Sequence, residues 1–207
     1  MQPLESRKEY TQGTLEADQL LENPLEQLSI WLKDASNANI LEPNGMTIST
    51  VRDARPSSRV VLLRGIDTGL VFYSNYLSKK GTDIATNSHA SASFWWASLE
   101  RQVRIEGQLQ KVSAAESDAY FAARPYESQL ASAASPQSQS IERPALEQLV
   151  AGMRVAHPEA VPRPAHWGGY RLVPDYLEFW QGRRARLHDR IAYRLEGGVW
   201  TRERLAP

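Results

Sequence analysis

Arg101-Gln102-Val103-Arg104-Ile105-Glu106-Gly107-Gln108-Leu109-Gln110-Lys111-Val112 sets Val103, Ile105 and Leu109 in alternation with Arg104, Glu106 and Gln108. Side chains of a strand point to opposite faces in turn, so this period predicts a strand with one dry and one wet face. Reading outward, Ser91 to Ala97 predicts its antiparallel neighbour. Ser58 to Arg64 holds Val60-Val61-Leu62-Leu63, an apolar run suited to a strand buried on both faces. Asp67-Thr68-Gly69 is a turn, and Leu70-Val71-Phe72-Tyr73 returns from it as the second arm of a hairpin. Met46 to Val51 is a further short strand. In the C-terminal part, Tyr170–Val173, Tyr176–Trp180, Leu187–Leu195 and Val199–Leu205 read as strands, the last two joined by a Gly197-Gly198 hairpin turn.

Helices punctuate this pattern. Asn23-Pro24 can cap and open one, with Leu25, Leu28, Trp31 and Leu32 on its apolar face. Ser113-Ala114-Ala115-Glu116 is a capping box, and the helix behind it runs to about Arg124, where Pro125 stops it. Ser128 to Ser140, rich in serine, alanine and glutamine, reads as a loop, and Arg143 to Ala156 as a helix. The expected fold is mainly β with helical additions (α+β), a β-barrel with flanking helices. Residues 1–22 read as an N-terminal arm, mobile or folded onto something else, and 23–207 as a single domain.

Composition bounds the function. The 207 residues carry 24 Lys+Arg and 24 Asp+Glu, and a net charge of zero argues against a general nucleic-acid binder. No apolar run approaches the roughly 18 residues of a membrane span, and Met1 to Lys8 holds no signal-peptide core. The absence of cysteine excludes disulfides and thiolate metal sites and fits a reducing, cytoplasmic setting. His89, His157, His166 and His188 lack zinc spacing, so no metal is expected. No Gly-x-Ser-x-Gly elbow, phosphate loop or Gly-x-Gly-x-x-Gly fingerprint is present.

Basic residues instead collect at the ends of apolar strands: Arg59 and Arg64, Lys79 and Lys80, Arg101, Arg124, Arg186 and Arg190. Guanidinium forks and ammonium charges at such ends can grip phosphate, although solvated strand ends explain the same spacing. If Arg186-Leu187-His188-Asp189-Arg190 is a strand, Arg186, His188 and Arg190 share a face that asks for an anion. Trp180 can wall an aromatic ligand or simply pack in the core.

These residues carry a resemblance that covers nearly the whole chain in order. Its segments are Arg7-Lys8-Glu9-Tyr10, Arg59 to Arg64, Phe72-Tyr73-Ser74-Asn75, Ser78-Lys79-Lys80-Gly81 and Leu99 to Gly107. Tyr120-Phe121, Arg124-Pro125, Ser128-Gln129, Gln137-Ser138, Trp167-Gly168-Gly169-Tyr170, Glu178 to Gly182, Arg186 to Arg190 and Arg204-Leu205-Ala206-Pro207 complete it. The sequence resembles the pyridoxine/pyridoxamine 5′-phosphate oxidase family. The resemblance implies an FMN-binding split β-barrel, a homodimer with FMN at the subunit interface, and sites built by both subunits. It implies oxidation of pyridoxamine and pyridoxine 5′-phosphate to pyridoxal 5′-phosphate, with hydride passing from C4′ to flavin N5 and O2 reoxidising the flavin to give H2O2. The implied FMN contacts are Arg59, Val60, Val61, Leu62, Leu63, Tyr73, Ser74, Lys79, Lys80, Gln102, Gln137, Ser138, Trp180 and Arg190. The implied substrate contacts are Arg64, Tyr120, Arg124, Ser128, Arg186 and His188, the last two acting in catalysis, with Arg7 and Tyr10 from an arm closing over the substrate. Tyr120 and Arg124 are spaced to share a helix face, with Ser128 just past its end. Arg64 stands where the family usually has lysine, and the stretch 130–135 lacks the family's glycine and tryptophan. The alternatives are a split-barrel flavin oxidase of a phenazine-type precursor, a non-catalytic flavin or pyridoxal phosphate binder, and a plain interaction module.

Overall fold

A computed structural model describes residues 9–207, so Arg7 and Lys8 lie outside the described residues. Among the described residues, nine strands and five α-helices make the mainly β, α+β fold that the alternation predicts. The strands are β1 (Gly45–Arg52), β2 (Arg55–Leu62), β3 (Gly65–Ile66), β4 (Leu70–Asn75), β5 (His89–Trp96), β6 (Arg101–Lys111), β7 (Trp167–Gln181), β8 (Asp189–Glu196) and β9 (Val199–Leu205). The helices are α1 (Pro24–Asn37), α2 (Lys79–Thr86), α3 (Ala114–Ala122), α4 (Tyr126–Ala134) and α5 (Arg143–Ala156). The sheet runs β2-β1-β5-β6-β7-β4-β3, with β8 added on β7 and β9 on β8.

The chain divides into two compact units. One holds the described chain up to Ile48, Ser91–Gly107 and Pro174–Pro207; the other holds Ser49–Ala90 and Gln108–Val173. Strand β7 belongs to both. Its residues 167–172 pair antiparallel with β4, and 176–181 pair antiparallel with β8. Sequence reading splits this stretch into two strands at Pro174. The strand is continuous over 167–181, with Pro174 falling between the residues paired to β4 and those paired to β8.

Several local expectations hold for the reasons given. Asn23 caps α1, its side chain accepting from Leu25 N–H. The Ser113/Glu116 capping box is formed in both directions. On β6, Val103, Ile105 and Leu109 are buried while Glu106 and Gln108 face water. Gly197 and Gly198 both take positive φ, as a two-residue turn between β8 and β9 requires.

Three expectations are corrected. Strand β2 is not buried on both faces: it ends the sheet order, and Val60 is 67% exposed. Its apolar run is therefore offered to something other than this chain's own core. Residues 126–134 are a helix, not a loop. Pro125 opens it, and Leu130 anchors it at 0% exposure against Phe121, Val161 and Trp167. Serine and alanine disguise the helix because only Leu130 and Gln129 need burial. Finally, Arg184–Arg186 form a short 3-10 turn with Arg186 at φ +61°, and β8 starts only at Asp189. Strand alternation therefore does not set the facing of Arg186, His188 and Arg190.

The helical reading of 126–134 has a direct check. Leu130→Ala is expected to cost about 2–5 kcal/mol, as for other buried leucines. Urea unfolding would measure it, and a cost below about 0.5 kcal/mol, ordinary for an exposed loop position, would contradict the anchor.

Candidate active site

The larger concentration of site residues falls in the unit holding β2 and β4. A cavity of about 410 Å³ is lined there by Arg59, Val60, Val61, Leu62, Arg64, Tyr73, Ser74, Lys80, Tyr120, Arg124, Gln137 and Trp167. That size is in the usual range for small-ligand sites. Four of its described lining residues are cationic and none is acidic.

Each cation is held by a different device. Arg59 donates from Nη1 to Thr50 Oγ1 (2.8 Å) and from Nη2 to Ser57 Oγ (2.8 Å). Thr50 in turn donates to the buried carboxylate of Asp83 (2.9 Å), which lies 4.0 Å from Arg59 Nη2. Burial holds the Arg59 guanidinium below its ordinary value, with Asp83 opposing. Lys80 Nζ donates to Ser74 Oγ (2.9 Å), Ser78 Oγ (3.2 Å) and Gln137 Oε1 (3.1 Å), all neutral oxygens. Burial first, and then Arg59, bring its ammonium down to about 8. Arg124 lies 4.7 Å above the Trp167 ring and donates to Ser132 Oγ (2.6 Å). Burial lowers its guanidinium too, and Arg64 adds to the effect. A cluster of desolvated cations with few carboxylates is a pre-paid site for an anion.

An aromatic wall completes the cavity. Tyr73 stacks on Tyr120 at 3.8 Å and 7°, and on Trp167 at 5.6 Å and 13°. Gly169 allows this: a Cβ there would meet Tyr73 Cε1 at 2.9 Å. The N-terminus of α2 is shaped by Ser78, whose side chain accepts from Gly81 N–H. Lys79 N–H donates to Ser138 Oγ (3.1 Å), and Lys79 Nζ pairs with Asp83 (3.3 Å).

A second cluster lies in the other unit. Trp180 packs on His188 at 4.7 Å, on Tyr10 at 5.6 Å and on Trp95 at 5.9 Å. Tyr10 also meets His188 at 5.6 Å, and Gly182 makes room for it, since a Cβ there would lie 2.7 Å from Tyr10 Cγ. His188 Nδ1 accepts the Arg183 N–H (3.1 Å), so in the neutral ring the proton sits on Nε2. Burial and then Arg186 lower its pKa, which favours that neutral form. Arg186 is exposed and makes no ion pair among the described residues. Arg190 donates from Nε and Nη2 to the two oxygens of Glu178 (2.9 Å each) and from Nη1 to Ala206 O (2.9 Å).

The pyridoxamine 5′-phosphate oxidase family matches residues 32–152, and the pyridoxine 5′-phosphate oxidase C-terminal dimerisation region matches residues 167–207. The chain belongs to the pyridoxamine 5′-phosphate oxidase family. A pyridoxine/pyridoxamine 5′-phosphate oxidase of Acidovorax sp. (strain JS42) is 53% identical over 206 residues, covering 97% of this chain and 94% of that protein. One from Mannheimia succiniciproducens is 50% identical over 204 residues, covering 97% of each. Among solved structures, PhzG from Burkholderia lata 383 in complex with tetrahydrophenazine-1-carboxylic acid has a TM-score of 0.88 at 32% identity, covering 94% of this chain and 98% of that one. A pyridoxamine 5′-phosphate oxidase-related, FMN-binding protein of Nostoc punctiforme shares the fold, with a TM-score of 0.70 at 18% identity and 89% and 98% coverage.

Against the family's expected contacts, the cavity brings together Arg59 to Leu62, Arg64, Tyr73, Ser74, Lys80, Tyr120, Arg124 and Gln137. Leu63 is buried and does not line it, nor do Lys79, Ser138 and Ser128. Tyr120, Arg124 and Ser128 do not share one helix and its end: Tyr120 is on α3, Arg124 in the following turn and Ser128 in the first turn of α4. Gln102, Trp180, Arg186, His188, Arg190 and Tyr10 belong to the other unit. Sequence reasoning missed Trp167 as a cavity wall and missed Thr50, Asp83 and Glu178 as supports. Glu178 had a signal, a carboxylate between Leu177 and Phe179 in an apolar strand; Asp83 had one in its i,i+4 spacing from Lys79.

Proposed function

We propose that this chain is an FMN-dependent oxidase of pyridoxamine 5′-phosphate and pyridoxine 5′-phosphate that acts as a homodimer in the cytoplasm. The observation that carries the reading is the cation-lined, carboxylate-free cavity with its aromatic wall, in a chain half identical to oxidases of that name over almost its full length. The donor set fits a phosphate-bearing cofactor: Arg59 and Lys80 supply charge, and Ser74 and Gln137 supply neutral polar groups. FMN, when bound, supplies a two-electron acceptor that O2 can reoxidise.

The protein's own part is binding and alignment. Arg124 and Tyr120 take the substrate phosphate, and Arg64 adds charge at the same cavity. His188, held neutral with Nδ1 pinned, presents an Nε2–H donor to the substrate ring, and Arg186 a free guanidinium fork. Tyr10 rests on Trp180 and His188, which supports its proposed role beside the substrate. The match of 167–207 to a dimerisation region and the exposed apolar Val60 support a dimer whose sites draw on both subunits. Holding reacting groups in register is worth about 7–11 kcal/mol.

Anaerobic addition of pyridoxamine 5′-phosphate should bleach the flavin absorbance of the purified protein. The likeness to PhzG supports a second reading, oxidation of a phenazine-type precursor; bleaching by such a precursor and not by the phosphate ester would select it. Two further outcomes follow from the cavity. Arg124→Met keeps the stem over Trp167 and removes the fork, so kcat/KM for the phosphate ester should fall roughly 10- to 150-fold, the worth of a charged hydrogen bond. A fall of less than twofold would remove Arg124 from the site. FMN affinity should weaken as pH rises above about 8, because Lys80 then loses its proton in the free protein and phosphate must restore it. Fluorescence titration at pH 7 and pH 9 reads this directly.

A further inference from the structure

Lys80 differs in chemistry from the other lysines. The chain holds five, at 8, 33, 79, 80 and 111. Lys79 pairs with Asp83, Lys111 lies 4.2 Å over the Tyr76 ring, Lys33 is exposed, and Lys8 is outside the described residues. Lys80 alone among the described lysines lines the cavity, and its three hydrogen-bond partners are the neutral oxygens of Ser74, Ser78 and Gln137. Burial and then Arg59 bring its ammonium down to about 8, so more of it is free amine at pH 7 than in an ordinary lysine. Arg59, Arg64 and Arg124 line the same cavity and can retain a phosphate there. A molecule carrying both a phosphate and a carbonyl group is therefore held by one end and presented to an amine at the other.

We infer that in the cofactor-free chain Lys80 captures a phosphorylated aromatic aldehyde as an imine, and that this adduct competes with the cofactor for the cavity. The inference rests on the proposed function, whose product is an aldehyde of this class. Lys80 Nζ attacks the aldehyde carbon and forms a C–N bond. The carbonyl oxygen leaves as water with the two amine protons, and no electrons are transferred. Once a cofactor phosphate lies on Lys80, the amine is recharged and no longer nucleophilic. Loaded enzyme is thus protected, while a newly made chain meeting excess product is held unloaded until the imine hydrolyses. Lysine pKa depression by burial and neighbouring cations is the general route to such Schiff-base chemistry.

The test uses the full chain freed of flavin, incubated with pyridoxal 5′-phosphate, reduced with borohydride and mapped by peptide mass. The label at Lys80 is expected to exceed that at Lys33 or Lys111 by at least about tenfold. Saturating FMN or inorganic phosphate should abolish it, and pyridoxal without phosphate should label Lys80 at least about tenfold less. Lys80→Arg should remove the label while keeping the charge. A label spread evenly over the lysines, centred on Lys79, or indifferent to FMN overturns the inference. Anaerobic bleaching keeps the two readings apart: turnover with Lys80 unlabelled sinks this inference alone, and a protected Lys80 label without turnover sinks the oxidase reading alone.

Discussion

An Arg186→Ala chain is expected to keep its flavin and lose turnover. Arg186 is exposed, sits in a 3-10 turn at positive φ, and makes no ion pair among the described residues. Its removal therefore deprives the fold of little. In the proposed reading it supplies a charged fork to the substrate, worth about 1.5–3 kcal/mol, or roughly 10- to 150-fold in kcat/KM. Lysine should restore only part of this, because a point charge lacks the planar pair of donors. Steady-state kinetics beside the flavin-to-protein absorbance ratio measure both quantities. Unchanged kcat/KM would take Arg186 out of the reaction, and lost flavin would make its role structural.

Glu178→Gln should produce the largest loss of stability. Glu178 is 2% exposed and receives Arg190 through two oxygens, Arg104 (3.1 Å) and the Tyr176 hydroxyl (3.0 Å). Removing one partner from a buried charge network costs about 3–5 kcal/mol, because the remaining charges stay desolvated. For a chain of this size that is a fall in Tm of about 6–20 °C. Burial pushes the Glu178 carboxyl up, but the hydrogen bonds from Arg190 and Tyr176 and the nearby guanidiniums outweigh it, leaving the pKa below its ordinary value. A depressed carboxylate stabilises above its unfolded pKa, and that share is lost as pH falls through the lower folded value. The natural chain should therefore lose stability in acid more steeply than the glutamine variant. Parallel acid titrations of the two would refute the assignment. Arg190, carried by resemblance as a cofactor contact, spends three N–H groups on Glu178 and Ala206 and keeps two without a described partner. Glu178 thus aims this arginine as well as neutralising it.

Much of the fold is legible without coordinates, because period and punctuation are local. The alternation of Val103, Ile105 and Leu109, the Asn23 cap, the Ser113/Glu116 box and the Gly197-Gly198 turn each act within a few residues. The failures come where a distant partner decides. Residues 126–134 form a helix because Leu130 finds Phe121 and Trp167, a partnership invisible in a serine- and alanine-rich string. Pro174 interrupts nothing because β7 changes partners there. Val60 is exposed because no other segment of this chain covers its side chain on β2.

The candidate site divides in the same way. The residue types that can bind phosphate, Arg59, Arg64, Lys80 and Arg124, are written in the sequence, but Arg59, expected at a strand end, lies inside β2 because that strand starts at Arg55. Alternation, caps and charge balance, each a property of neighbouring residues, by themselves determine a mainly β, cysteine-free chain with a scattered set of cations. Only the tertiary structure decides that four of those cations share one carboxylate-free cavity, that Asp83 and Glu178 support Arg59 and Arg190 from buried positions, and that Lys80 faces neutral oxygens. The physical reason is desolvation: the state of a charged side chain depends on what removes its water, and those groups come from segments far apart in the chain.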